Sequence, residues 1–283
     1  MAIINGTSLG DLIGGTTLQD EIMSYSGDDT IDAGDGDDFV FASSGNDLVF
    51  GGSGNDFIDG GSGNDTISDG GGNDTVNAGS GDDYVVAGRG NDVFTGGGGF
   101  DFIDYSQTEG GIKVDLSKGR VSGEFSGTDS VRGFEGLIAT SFDDVIKGSS
   151  GDDIMRAGNG DDVVRGFVGN DVLFGGDGAD TFTWKVMDVL DSAGNAVGTD
   201  IIKDFEANDR LDLRGLVPDG AGGNLDDYVT LSDTEIGALV QVNVGGRAVD
   251  VAILEGFYSG GASASDWASD GLLLPSSEPP LLA

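Results

Sequence analysis

The chain of 283 residues contains no cysteine and no histidine, only 4 prolines, and 13 basic residues against 51 acidic ones. Each shortage excludes a class of function. Without cysteine there are no disulfides, no thiolate metal sites and no thiol nucleophile. Without histidine there is no Ser-His-Asp triad, no histidine general base and no zinc-protease helix. A formal net charge of −38 leaves no basic patch to meet phosphates, so nucleic acid is not expected as a partner and anionic membrane surfaces are disfavoured. No apolar run approaches the roughly 20 residues of a membrane helix. Residues 1–7 lack the basic and apolar regions of a Sec leader.

Glycine and aspartate are what the chain has in quantity, and they are phased. Glycine accounts for 54 residues. From residue 6 to residue 104, eleven contiguous nine-residue copies each carry aspartate at the sixth position, the last nine being Asp29, Asp38, Asp47, Asp56, Asp65, Asp74, Asp83, Asp92 and Asp101 after Asp11 and Asp20. A second block over residues 139–183 repeats the pattern with Asp144, Asp153, Asp162, Asp171 and Asp180. Surface-charge tuning would impose no phase; a fixed period of this kind predicts a solenoid.

Within a copy, positions one to six are expected to turn and positions seven to nine to form a short strand. The eighth position holds Ile31, Val49, Ile58, Ile67 or Phe94, flanked by more polar neighbours, a period-2 pattern with one side chain turned inward. Two copies make one coil with two strands, and stacking coils creates two parallel sheets around one apolar core. Glycine supplies positive φ in the turns and leaves carbonyls uncovered. Aspartates two copies apart, such as Asp47 with Asp65 or Asp56 with Asp74, then face one gap between coils. Carboxylates plus backbone carbonyls make an all-oxygen shell, which suits Ca²⁺ better than Mg²⁺ or the softer metals.

The pattern Gly-Gly-x-Gly-x-Asp-x-aliphatic-x, cleanest at residues 51–59 and 60–68, resembles the RTX calcium-binding repeat. The resemblance implies an all-β fold: a right-handed parallel β-roll in two stacks with an antiparallel β cap at its C-terminal end. It implies several Ca²⁺ ions held by the aspartates Asp29 to Asp101 and by Asp153, Asp162, Asp171 and Asp180. It also implies glycine carbonyl ligands: Gly27, Gly36, Gly45, Gly54, Gly63, Gly72, Gly81, Gly90, Gly151, Gly160, Gly169 and Gly178 at position four, with Gly52 and Gly61 at position two. Two departures predict weak or absent sites. Leu9 and Leu18 replace the fourth-position glycine in the first two copies, and Phe142 does so in the copy beginning at residue 139.

The expected organisation is a first roll block over 1–104, an irregular β connector over 105–138, a second block over 139–183, an antiparallel cap and secretion region over 184–270, and a disordered Pro-containing tail over 271–283. In the connector, Ile112–Leu116 alternates as a strand that returns at Val121. Beyond residue 183 the period ends, and the stretch 200–213 reads as strand, turn, strand. Two alternating runs flank Gly245-Gly246, a hairpin signal. The stretch 204–213 and the hairpin ending at Phe257 resemble the C-terminal region of RTX proteins exported by type I secretion. That resemblance implies an extracellular, Gram-negative protein with the secretion channel as a partner; a cell-surface glycan or matrix component is a separate candidate partner.

Catalysis is not expected. Gly6-Thr7-Ser8-Leu9-Gly10 matches a nucleophile elbow only in letters, and Gly96–Gly99 belongs to a repeat turn. Trp184 and Trp267 are expected in the core or cap. The leading expectation is a secreted structural, adhesive or interaction protein that folds on Ca²⁺ outside the cell. A carbohydrate-binding module and a Ca²⁺-dependent polysaccharide hydrolase or lyase are the alternatives.

Overall fold

A computed structural model describes residues 1–217, 225–269 and 272–273, which divide into two compact units, Met1–Thr140 and Ser141–Ala283. Alternate copies go to opposite sheets of a solenoid. In the first unit one sheet stacks Ala2–Asn5, Asp20–Met23, Phe39–Phe41, Phe57–Ser62, Thr75–Ser80 and Val93–Gly98 in parallel. The other stacks Leu12–Thr16, Thr30–Gly34, Leu48–Phe50, Thr66–Ser68, Tyr84–Val86 and Phe102–Asp104. Each strand pairs with its counterpart two copies further on, as in Ile67 opposite Val85.

The alternation of the short strands decides what is inside. The eighth-position side chains Ile22, Ile31, Val40, Val49, Ile58, Ile67, Val76, Val85, Phe94 and Ile103 are all buried. Several strands run past their expected end: Phe57–Ser62 and Thr75–Ser80 continue pairing through Gly61 opposite Gly79. Positions one to three therefore belong partly to the sheet, and the turn proper is shorter than the sequence pattern suggests.

Residues 105–138 hold the expected strand and return, and beyond them the chain is regular. A hairpin of Ile112–Asp115 and Arg120–Gly123 is inserted, closed through Gly119 in the left-handed conformation (φ 64°). The coil then resumes. Gly127–Arg132 supplies positions four to nine of a copy and pairs in parallel with Val93–Gly98, Val131 opposite Phe94. Gly136–Ile138 follows in the second sheet, Leu137 opposite Ile103.

The second unit begins with the same architecture. Val145–Lys147, Val163–Arg165 and Thr181–Lys185 form one parallel stack, and Ile154–Asn159 with Val172–Asp177 the other. The stretch 200–213 forms strand, turn, strand as expected, but the two strands do not pair with each other. Asp200–Ile202 joins one sheet in parallel beside Val172–Asp177, and Arg210–Gly215 joins the opposite sheet beside Thr181–Lys185. Its two strands are one more coil of the solenoid, its spacing lengthened by loops.

Among the described strands of this unit, only the last three, Val229–Asp233, Gly237–Val244 and Arg247–Glu255, pair antiparallel with one another, and Arg247–Glu255 docks in parallel on Asp200–Ile202. Gly245 and Gly246 (φ 63° and 89°) make the mirror-image turn that the right-handed twist of a hairpin favours. Behind this cap, Phe205, Phe257 and Trp267 pack edge to face at 5.2 and 5.6 Å. Trp267 lies on the short helix Ala264–Ser269. Leu272 and Leu273, assigned by sequence to a disordered tail, are buried, and Leu211 donates its N–H to the Leu272 carbonyl. The rest of that tail, 271 and 274–283, lies outside the described residues.

Candidate metal centre

Position six is the last residue before each strand, so its side chain stands at the mouth of the turn. One carboxylate oxygen there has a backbone task. The N–H of each position-six aspartate donates to Oδ1 of the aspartate two copies later: Asp29 to Asp47, Asp38 to Asp56, Asp47 to Asp65, Asp56 to Asp74, Asp65 to Asp83, Asp74 to Asp92 and Asp83 to Asp101, all within 2.7–2.9 Å. In the second unit Asp144, Asp153 and Asp162 donate to Asp162, Asp171 and Asp180. Each carboxylate therefore closes the turn of the preceding coil.

The other oxygen of these same groups has no such partner. Among the described residues, Oδ2 of Asp29, Asp38, Asp47, Asp56, Asp65, Asp74, Asp83, Asp92, Asp101, Asp162, Asp171 and Asp180 is buried without a hydrogen bond. Buried polar atoms are rarely left so. Here the exceptions form a ladder, which points to a shared unmet ligand rather than to scattered defects. Burial is the largest cause of the resulting pKa shifts, and neighbouring carboxylates add to it. Asp47, Asp56 and Asp101 are pushed up to about 6, Asp65, Asp74 and Asp180 to about 7, and Asp162 to about 8. Asp38, Asp83 and Asp92 are raised, also by burial first.

The turn glycines make the cradle. Gly27, Gly36, Gly45, Gly54, Gly63, Gly72, Gly81, Gly90, Gly160, Gly169 and Gly178 all have positive φ, as do Gly52 and Gly61 at position two. A Cβ on Gly72 would lie 1.6 Å from the Gly54 carbonyl oxygen, and one on Gly54 would lie 1.8 Å from that of Gly36. Successive turns thus approach backbone to backbone, and their carbonyls line the space between coils. Gly151 differs, since it has no positive φ and donates its N–H to the Ser149 hydroxyl.

The ends of the ladder are closed by protein donors. Thr7 N–H meets Oδ2 of Asp11 and Thr16 N–H meets Oδ2 of Asp20. In Asp153 both oxygens are engaged by Ser149. Four acidic residues absent from the sequence-derived set take position-six seats where the spacing breaks. Asp129 accepts from Asp92 N–H and Glu135 from Asp101 N–H. Asp200 accepts from Asp171 N–H and Asp209 from Asp180 N–H. Three of the four fill their second oxygen internally, Asp129 from the Tyr105 hydroxyl at 2.9 Å, Asp200 from the Trp184 indole at 2.7 Å and Asp209 from Glu206 N–H at 2.7 Å. The Gly-Thr-Asp before Ser130-Val131 was the available signal for Asp129. Lengthened intervals before Asp129 and Asp200 hid both from a strict period of nine.

The donor set is oxygen throughout: paired carboxylates on successive coils, with glycine carbonyls between them. It fits a hard cation of the Ca²⁺ type and offers no nitrogen or sulfur to a softer one. The family described as the RTX calcium-binding nonapeptide repeat (4 copies) matches residues 14–49, 34–67, 50–85, 68–103, 137–164 and 147–182. The chain carries RTX calcium-binding repeats over residues 14–103 and 137–182. Its RTX copies coincide with the coils that carry the unpaired oxygens.

Among solved structures, the R2 subunit of the Azotobacter vinelandii mannuronan C5-epimerase AlgE6 is 22% identical, covering 51% of this chain and 94% of its own, at a TM-score of 0.32. The R3 subunit of the same epimerase is 23% identical, covering 50% and 83%, at 0.23. The extracellular lipase LipA of Serratia marcescens is 17% identical, covering 92% of this chain and 38% of the lipase, at 0.26. At such scores the three say nothing of activity. No curated protein matches the chain. No helix among the described residues is long and apolar enough to cross a membrane.

Proposed function

We propose that this RTX protein is a secreted structural, adhesive or interaction protein whose coils are joined by Ca²⁺ outside the cell, without catalysis of its own. The reading rests on the ladder of buried, unpaired Oδ2 atoms from Asp29 to Asp101 and from Asp162 to Asp180. These aspartates are the carboxylate ligands in this reading, with the position-four glycine carbonyls beside them and Gly52 and Gly61 adding position-two carbonyls. Asp153, engaged by Ser149, is a weaker member. A divalent cation in each gap offsets the repulsion of stacked carboxylates and the entropy lost by a glycine-rich chain on ordering.

Export by a type I channel accords with folding coupled to calcium, because the ion is scarce where the chain is made and plentiful where it would fold. The C-terminal coil and hairpin, from Asp200 to Phe257, are the candidate signal region, and a glycan or matrix component is the candidate partner. Circular dichroism of the full chain at neutral pH, titrated with calcium after chelation, tests the central point. Strand signal should rise cooperatively with calcium and vanish in excess chelator. Native strand content that persists in chelator at about pH 7.5, above most of the raised carboxylate values, defeats the reading.

A further inference from the structure

Position one of a copy is small nearly everywhere: Gly51, Gly60, Ala33, Ala87, Gly96, and Ala or Gly in all five copies of the second block. Asp69 is the sole acidic residue at that position in either block. Its side chain is fully buried. Oδ1 accepts from two backbone amides, Gly70 at 2.9 Å and Gly88 at 2.8 Å, one from its own coil and one from the next. That clamp fixes the carboxylate's direction, and Oδ2 is left buried without a hydrogen bond. Carboxylate oxygens of Asp69, Asp74 and Asp92 all lie within 4.8 Å of one another. Oδ2 of Asp74 and of Asp92 is likewise buried and unpaired. Among the described residues no other gap in the ladder brings three carboxylates this close.

We propose that Asp69 makes the gap between the Asp74 and Asp92 turns a three-carboxylate cation site, the tightest of the array and the first to fill. The proposal rests on the calcium reading above and deepens it. Calcium affinity follows the number of charged ligands and the rigidity of the site, and this gap has both: one more carboxylate than its neighbours, held by two amides. A purely hydrogen-bonding role for Asp69 would explain Oδ1 but not a second oxygen left buried and unpaired in a carboxylate clustered with two others that each carry one as well.

The test is a calcium titration of the full chain by isothermal calorimetry, with Tb³⁺ luminescence as a second readout, on wild type, Asp69→Asn and Asp69→Ala. Asn keeps the acceptor for Gly70 and Gly88 but turns an amide donor toward Asp74 and Asp92; Ala is what stands two copies later at residue 87. Wild type should show one ion bound about tenfold or more tightly than the rest, and both variants should lose that class while still folding at saturating calcium. A wild-type isotherm with a single class, or a tight class that survives in Asp69→Asn, overturns the proposal. So does an Asp69→Ala chain that fails to fold at saturating calcium while Asp69→Asn binds as wild type. A wild type that binds no calcium at all instead removes the calcium reading itself, so the two failures are told apart.

Discussion

At the scale of the residue, the position-six aspartate does two jobs with two oxygens, and the position-four glycine makes room for them. Asp65 shows the first. Replacing it with Asn keeps an acceptor for Asp47 N–H but removes the charge, so the calcium midpoint of folding should move upward by about tenfold or less while the fully loaded chain stays folded. Calcium titration followed by dichroism reads the shift, and an unchanged midpoint would remove Asp65 from the ligand set. Gly72 (φ 146°) shows the second. An alanine there meets the Gly54 carbonyl and an unfavourable backbone, and Gly72→Ala should cost about 2–4 kcal/mol in chemical denaturation at saturating calcium. The aspartates and glycines were legible because the repeat names them. Asp69 was not, because a single acid at a variable position carries no periodic signal until Asp74 and Asp92 are seen beside it.

At the scale of the element, the strands follow from alternation and the coil from the regular return of every second copy. What the period could not disclose was where the spiral continues after the period fails. The inserted hairpin Ile112–Gly123 stretches two intervals, from Asp92 to Asp129 and from Asp101 to Glu135, and loops stretch two others, ending at Asp200 and Asp209. The strands resume by register and burial, which spacing alone does not encode. At two of these places an aromatic donor occupies the oxygen left open elsewhere. Tyr105→Phe removes the donor to Asp129, and Trp184→Phe removes the donor to Asp200. Each leaves a buried carboxylate oxygen unpaired and should cost about 1–3 kcal/mol. Denaturation curves at fixed calcium check this, and an unchanged midpoint would show that those donors contribute nothing.

At the scale of the whole molecule, the raised carboxylates set opposite pH responses with and without metal. Asp56 is pushed from an ordinary 3.8 to about 6, and Asp65, Asp74 and Asp180 to about 7. In chelator, the folded chain holds protons there that the unfolded chain releases, so this contribution to stability is fully present below about pH 4, near the unfolded value, and is lost as pH rises through the folded values. Metal-free protein should melt higher in acid than at neutral pH. Calcium-loaded protein should do the reverse, because protons compete for the same oxygens. Melting curves from acid to neutral pH, with calcium and with chelator, should cross; parallel curves would count against a shared ladder. Each gap held at about 100 times its dissociation constant adds about 2.7 kcal/mol, so several occupied gaps together exceed the roughly 5–15 kcal/mol of an ordinary domain.

The bond from each aspartate amide to the carboxylate of the next coil also gives the spiral a direction. Every coil takes its position-six cover from the coil that follows it, while position-five amides such as those of Asn64 and Asn73 reach back to the coil before. Deleting coils from the rear of a block therefore strips the carboxylate cover from whichever coil becomes last, whereas deleting them from the front removes the acceptors of those backward bonds. Tyr105 with Asp129, and Trp184 with Asp200, hold the carboxylates that cover Asp92 and Asp171, so a cut at the rear costs a coil its cover and a cut at the front costs it a footing.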